Sequence, residues 1–515
     1  MARRALSIST GLGAAAIVIV VALTLGTIVP LLWIAEAPGR IVGADWAVLR
    51  FTVVQAFLSA VLSVLFAVPL ARALARRQFW GRQALLLLLG APFIVPVIVA
   101  VLGILAVWGR SGWLSDGLGA LGLPALDIYG MTGVLLAHVF FNLPLVTRML
   151  LTGWAAIRAE QFRLAAQLGF GPRDMLRHVE APMLREVLPG AGLVVFLICL
   201  TSFAVALTLG GGPRATTLEL AIYQSLRFDF DLSRAAMLAL VQMGVALAAA
   251  ILLLGLGRPA EFADALGRVA ERYDTGGLWQ DRLVIGAALL FLGLPMLAVV
   301  ARGAPALLTL SASIWEAALR SVTIALAATA ICFALSLAIA WVLSTGRAVL
   351  AEGMVLIGLT ASSLVIGTGL FILLRPIVDP FALALPLTAV VNAVMGVPFA
   401  LRVLLPAVAT VRRGQGQLAA SLGLSRGVWL RHVLLPGIRR PAGFALGLVA
   451  AFSMGDLGII ALFGTSATAT LPLEMAQLMG AYRMEAAAGA GALLLILSFM
   501  LFAVFDAGGR YDHAR

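Results

Sequence analysis

Asp456, in the stretch Ser453-Met-Gly-Asp456-Leu-Gly, is the clearest ionisable group set inside an apolar run of this sequence. A charge or a strong hydrogen-bonding group held there is a functional candidate, because burying it in hydrocarbon is costly unless it meets an ion, a polar solute or another polar group. Ser202 and Asn142 are weaker polar candidates of the same kind. Other chemistries find no support. The four histidines, His138, His178, His432 and His513, lack the i, i+4 pairing of a helical metal site, so no metal is expected. Cys199 and Cys332 both fall in apolar runs and read as packed side chains. The run Gly210-Gly-Gly-Pro-Arg214 is a loop rather than a phosphate cradle: no lysine follows it, and the chain contains no lysine at all. The chain therefore cannot itself be a phosphate-loop ATPase, and no catalytic residue or bound cofactor is expected.

The elements that must position these side chains are membrane spans. With 62% apolar and 12% charged residues and a mean hydropathy of +1.06, most of the surface cannot face water. An apolar run of 18 or more residues crosses the ~30 Å hydrocarbon core as a helix. Such runs lie near 11–35, 48–71, 84–108, 131–153, 187–209 and 235–257, and again near 282–302, 314–343, 353–374, 386–410, 442–463 and 486–506. This predicts an all-α integral membrane protein of about twelve spans. The first run is longer than a signal-peptide core and reads as an uncleaved span. Arginines follow spans 2, 4 and 6 (Arg72, Arg76, Arg77 and Arg82; Arg158 to Arg185; Arg258, Arg268, Arg272 and Arg282), which predicts that these loops and both termini are cytoplasmic. The net charge of +12 reads as topology signal plus affinity for the lipid bilayer, with no nucleic-acid module.

One polar segment occurs twice. Leu164, Ala165, Ala166, Leu168, Gly169, Leu176, Arg177, His178, Val179, Pro182 and Arg185 recur identically 254 residues later, from Leu418 to Arg439. Pro144 and Arg148 recur as Pro398 and Arg402 at the same offset. An even number of spans separates the copies, so both face the same side and the halves are parallel repeats about an axis along the membrane normal, with a path between them. The expected units are residues 1–257, a linker at 258–281, and 282–515. Each segment (158–186 and 412–440) predicts a short helix, a glycine turn, a second helix begun by Pro172 or Ser425, and a proline stop at Pro182 or Pro436. Paired alanines would give a smooth face that a partner surface can approach closely. Amphipathic helices adsorbed on the membrane are the plainer alternative.

At these residues the chain resembles the permease subunits of ATP-binding-cassette importers, whose loop has Glu-Ala-Ala, a glycine and a terminal Leu-Pro at fixed spacing. Gly169, Val179 and Pro182, and Gly423, Val433 and Pro436, keep that spacing. Arg163 and Gln417 stand where the family has Glu, and Ala181 stands where Leu is usual. The resemblance implies a type I importer permease fold, in which Ala165, Ala166, Gly169, Val179 and Pro182, with Gln417, Ala419, Ala420, Gly423, Val433 and Pro436, form two coupling loops docked on a homodimeric cytoplasmic ATPase. ATP and Mg would then bind that partner.

Longer stretches resemble the fused thiamine and thiamine-pyrophosphate permeases of Gram-negative bacteria, notably Val101 to Trp113, Leu136 to Pro144 and Leu209 to Gln224. That resemblance implies an inner-membrane importer served by a periplasmic thiamine-binding protein, with ferric-iron or phosphonate permeases of the same plan as alternatives. A secondary transporter driven by an ion gradient would instead want buried acid or histidine relays. The stretch Pro213 to Arg234, with Glu219, Tyr223, Gln224, Arg227, Asp229 and Asp231, reads as an external loop that serves as gate or docking surface, or simply as a solvated loop.

Overall fold

The computed structural model describes residues 2–35, 43–90, 92, 94–210, 212, 215–255, 277–344, 353 and 362–510. The predicted linker therefore lies almost wholly outside the described residues. In chain order the first part comprises α1 (Ala2–Thr24), α2 (Ile28–Ala35), α3 (Gly43–Arg76), α4 (Arg82–Leu88), α5 (Val97–Trp108), α6 (Trp113–Ala120) and α7 (Met131–Ala156). It continues with α8 (Ala159–Gln167), α9 (Pro172–Met175), α10 (Ala181–Leu200), α11 (Phe203–Leu209), α12 (Leu218–Arg227) and α13 (Leu232–Gly255). The second part comprises α14 (Leu278–Ala306), α15 (Ala312–Leu343), α16 (Ser363–Leu374), α17 (Ala384–Ser421) and α18 (Arg426–Trp429). Then come α19 (Leu435–Gly455), α20 (Gly458–Phe463), α21 (Leu471–Gly480) and α22 (Met484–Arg510).

Among the described residues no strand occurs and eleven helices or helix runs are long and apolar enough to cross a membrane. The run expected at 353–374 is represented by the shorter α16, because 354–361 lie outside the described residues. Two expectations need correction. The apolar run at 84–108 is divided: Pro92 and Pro96 interrupt it, and the long apolar stretch instead runs from Val97 to Ala120. The span expected at 187–209 begins much earlier, at Pro172, and breaks after Leu200.

The helices do not pack only within their own parts. Small residues on α1 bring it against α15 and α17: Ala16 and Val20 are buried in one apolar cluster with Ala328, Cys332, Ile339 and Val397. A Cβ on Gly13 would come 2.6 Å from the Ala338 carbonyl oxygen, so only glycine permits this approach. In the mirror arrangement α14 packs on α5 and α3, and a Cβ on Gly103 would meet the Pro295 oxygen at 2.5 Å. α14 also lies along α22 of its own part, so the first helix of each part contacts the other part without leaving α14 unpartnered in its own.

Two hydroxyls fix where the later short helices begin. Thr52 on α3 accepts the Leu218 amide at 2.9 Å, and Ser321 on α15 accepts the Leu471 amide at 2.8 Å. The amides at a helix start have no intrahelical partner, so these bonds satisfy them and set α12 and α21 against α3 and α15.

Candidate functional site

The first repeated segment is a jointed structure. α7 ends at Ala156, Ile157 and Arg158 are extended (ψ 127° and 138°), and α8 starts at Ala159. Gly169 takes φ +68°, a left-handed conformation that glycine reaches without steric cost, and reverses the chain toward α9. Phe162, Ala165 and Met175 are buried together beneath Ile157, Phe170 and Val179, so the segment has a small core of its own. Ala165 is thus an inward packing residue; Ala166 is half-buried and Gly169 is exposed.

The expected proline stop is not one. A π-helical turn, Leu176–Glu180, joins α9 directly to α10, and Pro182 lies in the first turn of α10. Proline is tolerated there because the first helical amides have no intrahelical acceptor to lose. Three side chains hold this turn. Glu180 is fully buried; its Oε2 accepts from Arg72 Nε at 2.6 Å and its Oε1 from Trp154 Nε1 at 3.2 Å. Arg72 Nη2 also donates to the Pro172 carbonyl at 3.0 Å, so one guanidinium at the end of α3 grips both ends of residues 172–180.

The second segment has the same outline and a different build. Gly423 takes φ +64°, a π-helical turn covers Leu430–Leu434, and Pro436 lies in the first turn of α19. There is no joint before it, because α17 runs unbroken from Ala384 to Ser421 and carries Gln417 and Ala419 on its last turns. Ala419 is buried and Gln417 exposed; Ala420 lies on the same helix. Trp341 meets Trp429 edge to face at 4.9 Å, and Arg412 lies 4.8 Å over the Trp341 ring while donating to the Trp341 carbonyl at 3.1 Å.

The apolar surface that both segments present to their surroundings is leucine, not alanine. Leu164 and Leu168 are 56% and 63% exposed, and their repeats Leu418 and Leu422 are 61% and 64% exposed. Sequence reasoning passes over these four, although their identity in both copies is visible. A matched pair of bare leucines on two polar segments is an exposed apolar patch of the kind found at protein or membrane interaction surfaces.

Away from the segments, the polar candidates separate. Ser202 immediately precedes α11 and Asp456 immediately follows α19, so both sit in helix breaks 254 residues apart. Asp456 Oδ1 accepts the Gly458 amide at 3.3 Å, and one turn earlier Asn392 donates to Ser453 Oγ at 3.0 Å. The adjoining Gly455 faces Pro96, where a Cβ would come 2.8 Å from the ring, so this break lies against the first part of the chain. Broken helices that expose backbone groups at membrane depth occur where they line a site or are sealed by protein. Asn142 is placed elsewhere: it is buried between α7 and α10, donating to the His138 carbonyl at 2.8 Å and toward Cys199 Sγ at 3.2 Å. Its repeat position, Gly396, leaves room for Val449 and Cys332.

The stretch expected as an external loop contains the largely buried helix α12, followed by an exposed turn with Asp229 and Asp231. Glu219 is 1% exposed and accepts a hydrogen bond from Gln242. α12 is not part of any of the long apolar helices. Among the described residues no group of three or more metal-ligating side chains is assembled.

No known family model matches the chain. It is 41% identical over 90% of its length to the thiamine transport system permease protein ThiP of Brucella abortus, covering 87% of that relative. The protein of the same name from Salmonella typhimurium is 41% identical over 90% of this chain and 88% of its own. For Escherichia coli strain K12 the figures are 39%, 96% and 95%. Identity of this extent covers both repeated segments and nearly all the spans, and the chain belongs to the family of thiamine transport system permease proteins.

Proposed function

We propose that this multi-pass membrane protein is the permease of an ATP-driven importer for thiamine and its phosphate esters. The observation that carries the substrate is the identity of 39–41% over at least nine-tenths of the chain to relatives named for thiamine transport. In this reading the chain performs no chemistry and binds no cofactor; hydrolysis takes place on a separate homodimeric ATPase. The two subunits of that ATPase dock on the two repeated segments, whose exposed leucines (Leu164, Leu168, Leu418 and Leu422) supply apolar contacts, while Gly169 and Gly423 set the turns. These segments and both termini are cytoplasmic, the membrane is the bacterial inner membrane, and a periplasmic thiamine-binding protein delivers the substrate.

The transport step is a change of packing between the two parts of the chain, driven by closing and opening of the ATPase dimer. The breaks at Ser202 and Asp456 are the proposed lining of the path. Thiamine carries a cationic thiazolium, and a carboxyl group at Asp456 offers it a weak, passing contact rather than a tight site.

The test is uptake of labelled thiamine by cells lacking their own thiamine transporter, supplied with this chain, its ATPase and its binding protein. Uptake abolished by an ATPase-dead mutation supports the reading. A complex that assembles and hydrolyses ATP but moves no thiamine overturns the substrate and leaves the importer, with ferric iron tested next.

A further inference from the structure

The two repeated segments differ in how a push on them would reach the membrane. In the second, the 38-residue helix α17 is both span and segment, so Leu418 is joined to the membrane by one helix with no extended joint, although Pro398 and Pro406 each remove one bond from its ladder. In the first, the extended residues Ile157 and Arg158 separate α7 from α8, and no continuous helix leads from Leu164 back into span 4. Something else must stiffen that joint.

The structure offers one candidate. Glu180 ends the π-helical turn below the first segment and is fully buried between Arg72, at the end of α3, and Trp154, at the end of α7. Arg72 reaches Pro172 as well, so the whole length 172–180 is tied to α3. The second segment has the π turn but none of the three side chains that hold it in the first. Thr52 and Ser321 hold the corresponding starts of α12 and α21, which aligns α3 with α15; in that register Arg72 is met by Trp341. At the 254-residue offset, Glu180 and Trp154 are met by the buried Leu434 and Val408. The rod-like segment meets α15 through the Trp341–Trp429 edge contact, with Arg412 donating to the Trp341 carbonyl, whereas the jointed segment has a buried ion pair with two directional partners. A charge-assisted bond resists sliding in a way that apolar packing does not. A π turn, moreover, is a local widening of the helix that is frequent at functional sites.

We propose that Glu180 is a positioning residue which, through Arg72, carries movement of the first coupling segment into α3, so that the two segments pass force to the membrane by different routes. This rests on the permease reading above. The test is Glu180→Ala in the full complex of permease, ATPase and binding protein in proteoliposomes, with ATP hydrolysis and thiamine uptake measured on the same preparation. The expected result is hydrolysis within about twofold of wild type and uptake lowered about tenfold, so that more ATP is consumed per thiamine moved. Leu434→Ala in the second segment should leave that ratio unchanged.

Glu180→Gln keeps a bond to Trp154 while removing the charge facing Arg72, and it should also raise the ratio; it decides the matter if the alanine variant does not assemble. Exchange of the pair, Arg72→Glu with Glu180→Arg, should bring the ratio back toward wild type. A parallel fall of hydrolysis, uptake and assembly, or an unchanged ratio in Glu180→Gln, overturns the proposal. Failure of the permease reading is distinct, because the wild-type complex would then show neither uptake nor stimulated hydrolysis.

Discussion

Replacing Leu164 and Leu168 together by alanine tests whether the repeated segments are docking surfaces. Full burial of an exposed leucine is worth about 1.5–3 kcal/mol, and at 56% and 63% exposure each of these two still offers about 1–2 kcal/mol to a partner that covers it. The pair together is then worth about 2–4 kcal/mol, or about 30- to 700-fold in a dissociation constant. Neither side chain belongs to the small core of Phe162, Ala165 and Met175, so the substitution leaves the segment folded. The assay is the Kd of the purified ATPase for the permease in lipid nanodiscs. Leu418→Ala with Leu422→Ala is the matching variant, and Leu121→Ala, 76% exposed in a different loop, is the control that should change nothing. If the Kd for Leu164→Ala with Leu168→Ala stays within twofold of wild type while the control behaves, the leucines do not face the ATPase, and the reasoning from matched exposure fails.

Gly169 and Gly423 have positive φ, and a Cβ at either would meet nothing within 4 Å, so Gly→Ala should cost about 1–2 kcal/mol through the backbone alone. Asn should be milder than Ala in both the Tm and transport, since asparagine tolerates the left-handed region. Gly103→Val places a side chain against the Pro295 carbonyl and should destabilise the contact of α5 with α14 by about 1–3 kcal/mol, read as a lower Tm in detergent. Glu219→Ala leaves the buried Gln242 amide without this partner and should lower the Tm in detergent, whereas Glu219→Gln, which keeps an acceptor there, should lower it less; equal Tm values for the two variants refute the assignment.

Much of the architecture is legible because hydrocarbon imposes a simple grammar: a run such as 314–343 must be a helix, and the structure places α15 at Ala312–Leu343. Where prolines and short polar residues interrupt the apolar signal, hydropathy alone misplaces the boundary. Pro182 illustrates this, since a proline that ends a helix and one that opens a helix look alike until the π turn before it is seen. Glu219 reads as part of a loop because a single glutamate in a mixed stretch signals solvent; only the packing of α12 on α13 shows it buried with Gln242. The repeat draws attention to the right segments, but not to the right faces. Which of Leu164 and Ala165 points outward depends on helix phase and on Phe162 and Met175, which are not repeated as Phe and Met in the second copy. Glu180 is invisible for the opposite reason: it is one of the positions at which the copies differ.

The docking of α1 on the second part has a consequence for biosynthesis. α1 ends at Thr24, whereas α15, against which it packs, begins at Ala312. At a translation rate of about 5–20 residues per second, α1 waits in the bilayer for roughly 15–60 s before its docking surface leaves the ribosome. During that interval Gly13 and Ala16, the residues of close approach, face lipid or the insertion machinery, and the nascent first part cannot complete its own packing because α14 has not yet been made. Docking of α1 is therefore a late step of assembly, open to it only after α15 has entered the bilayer.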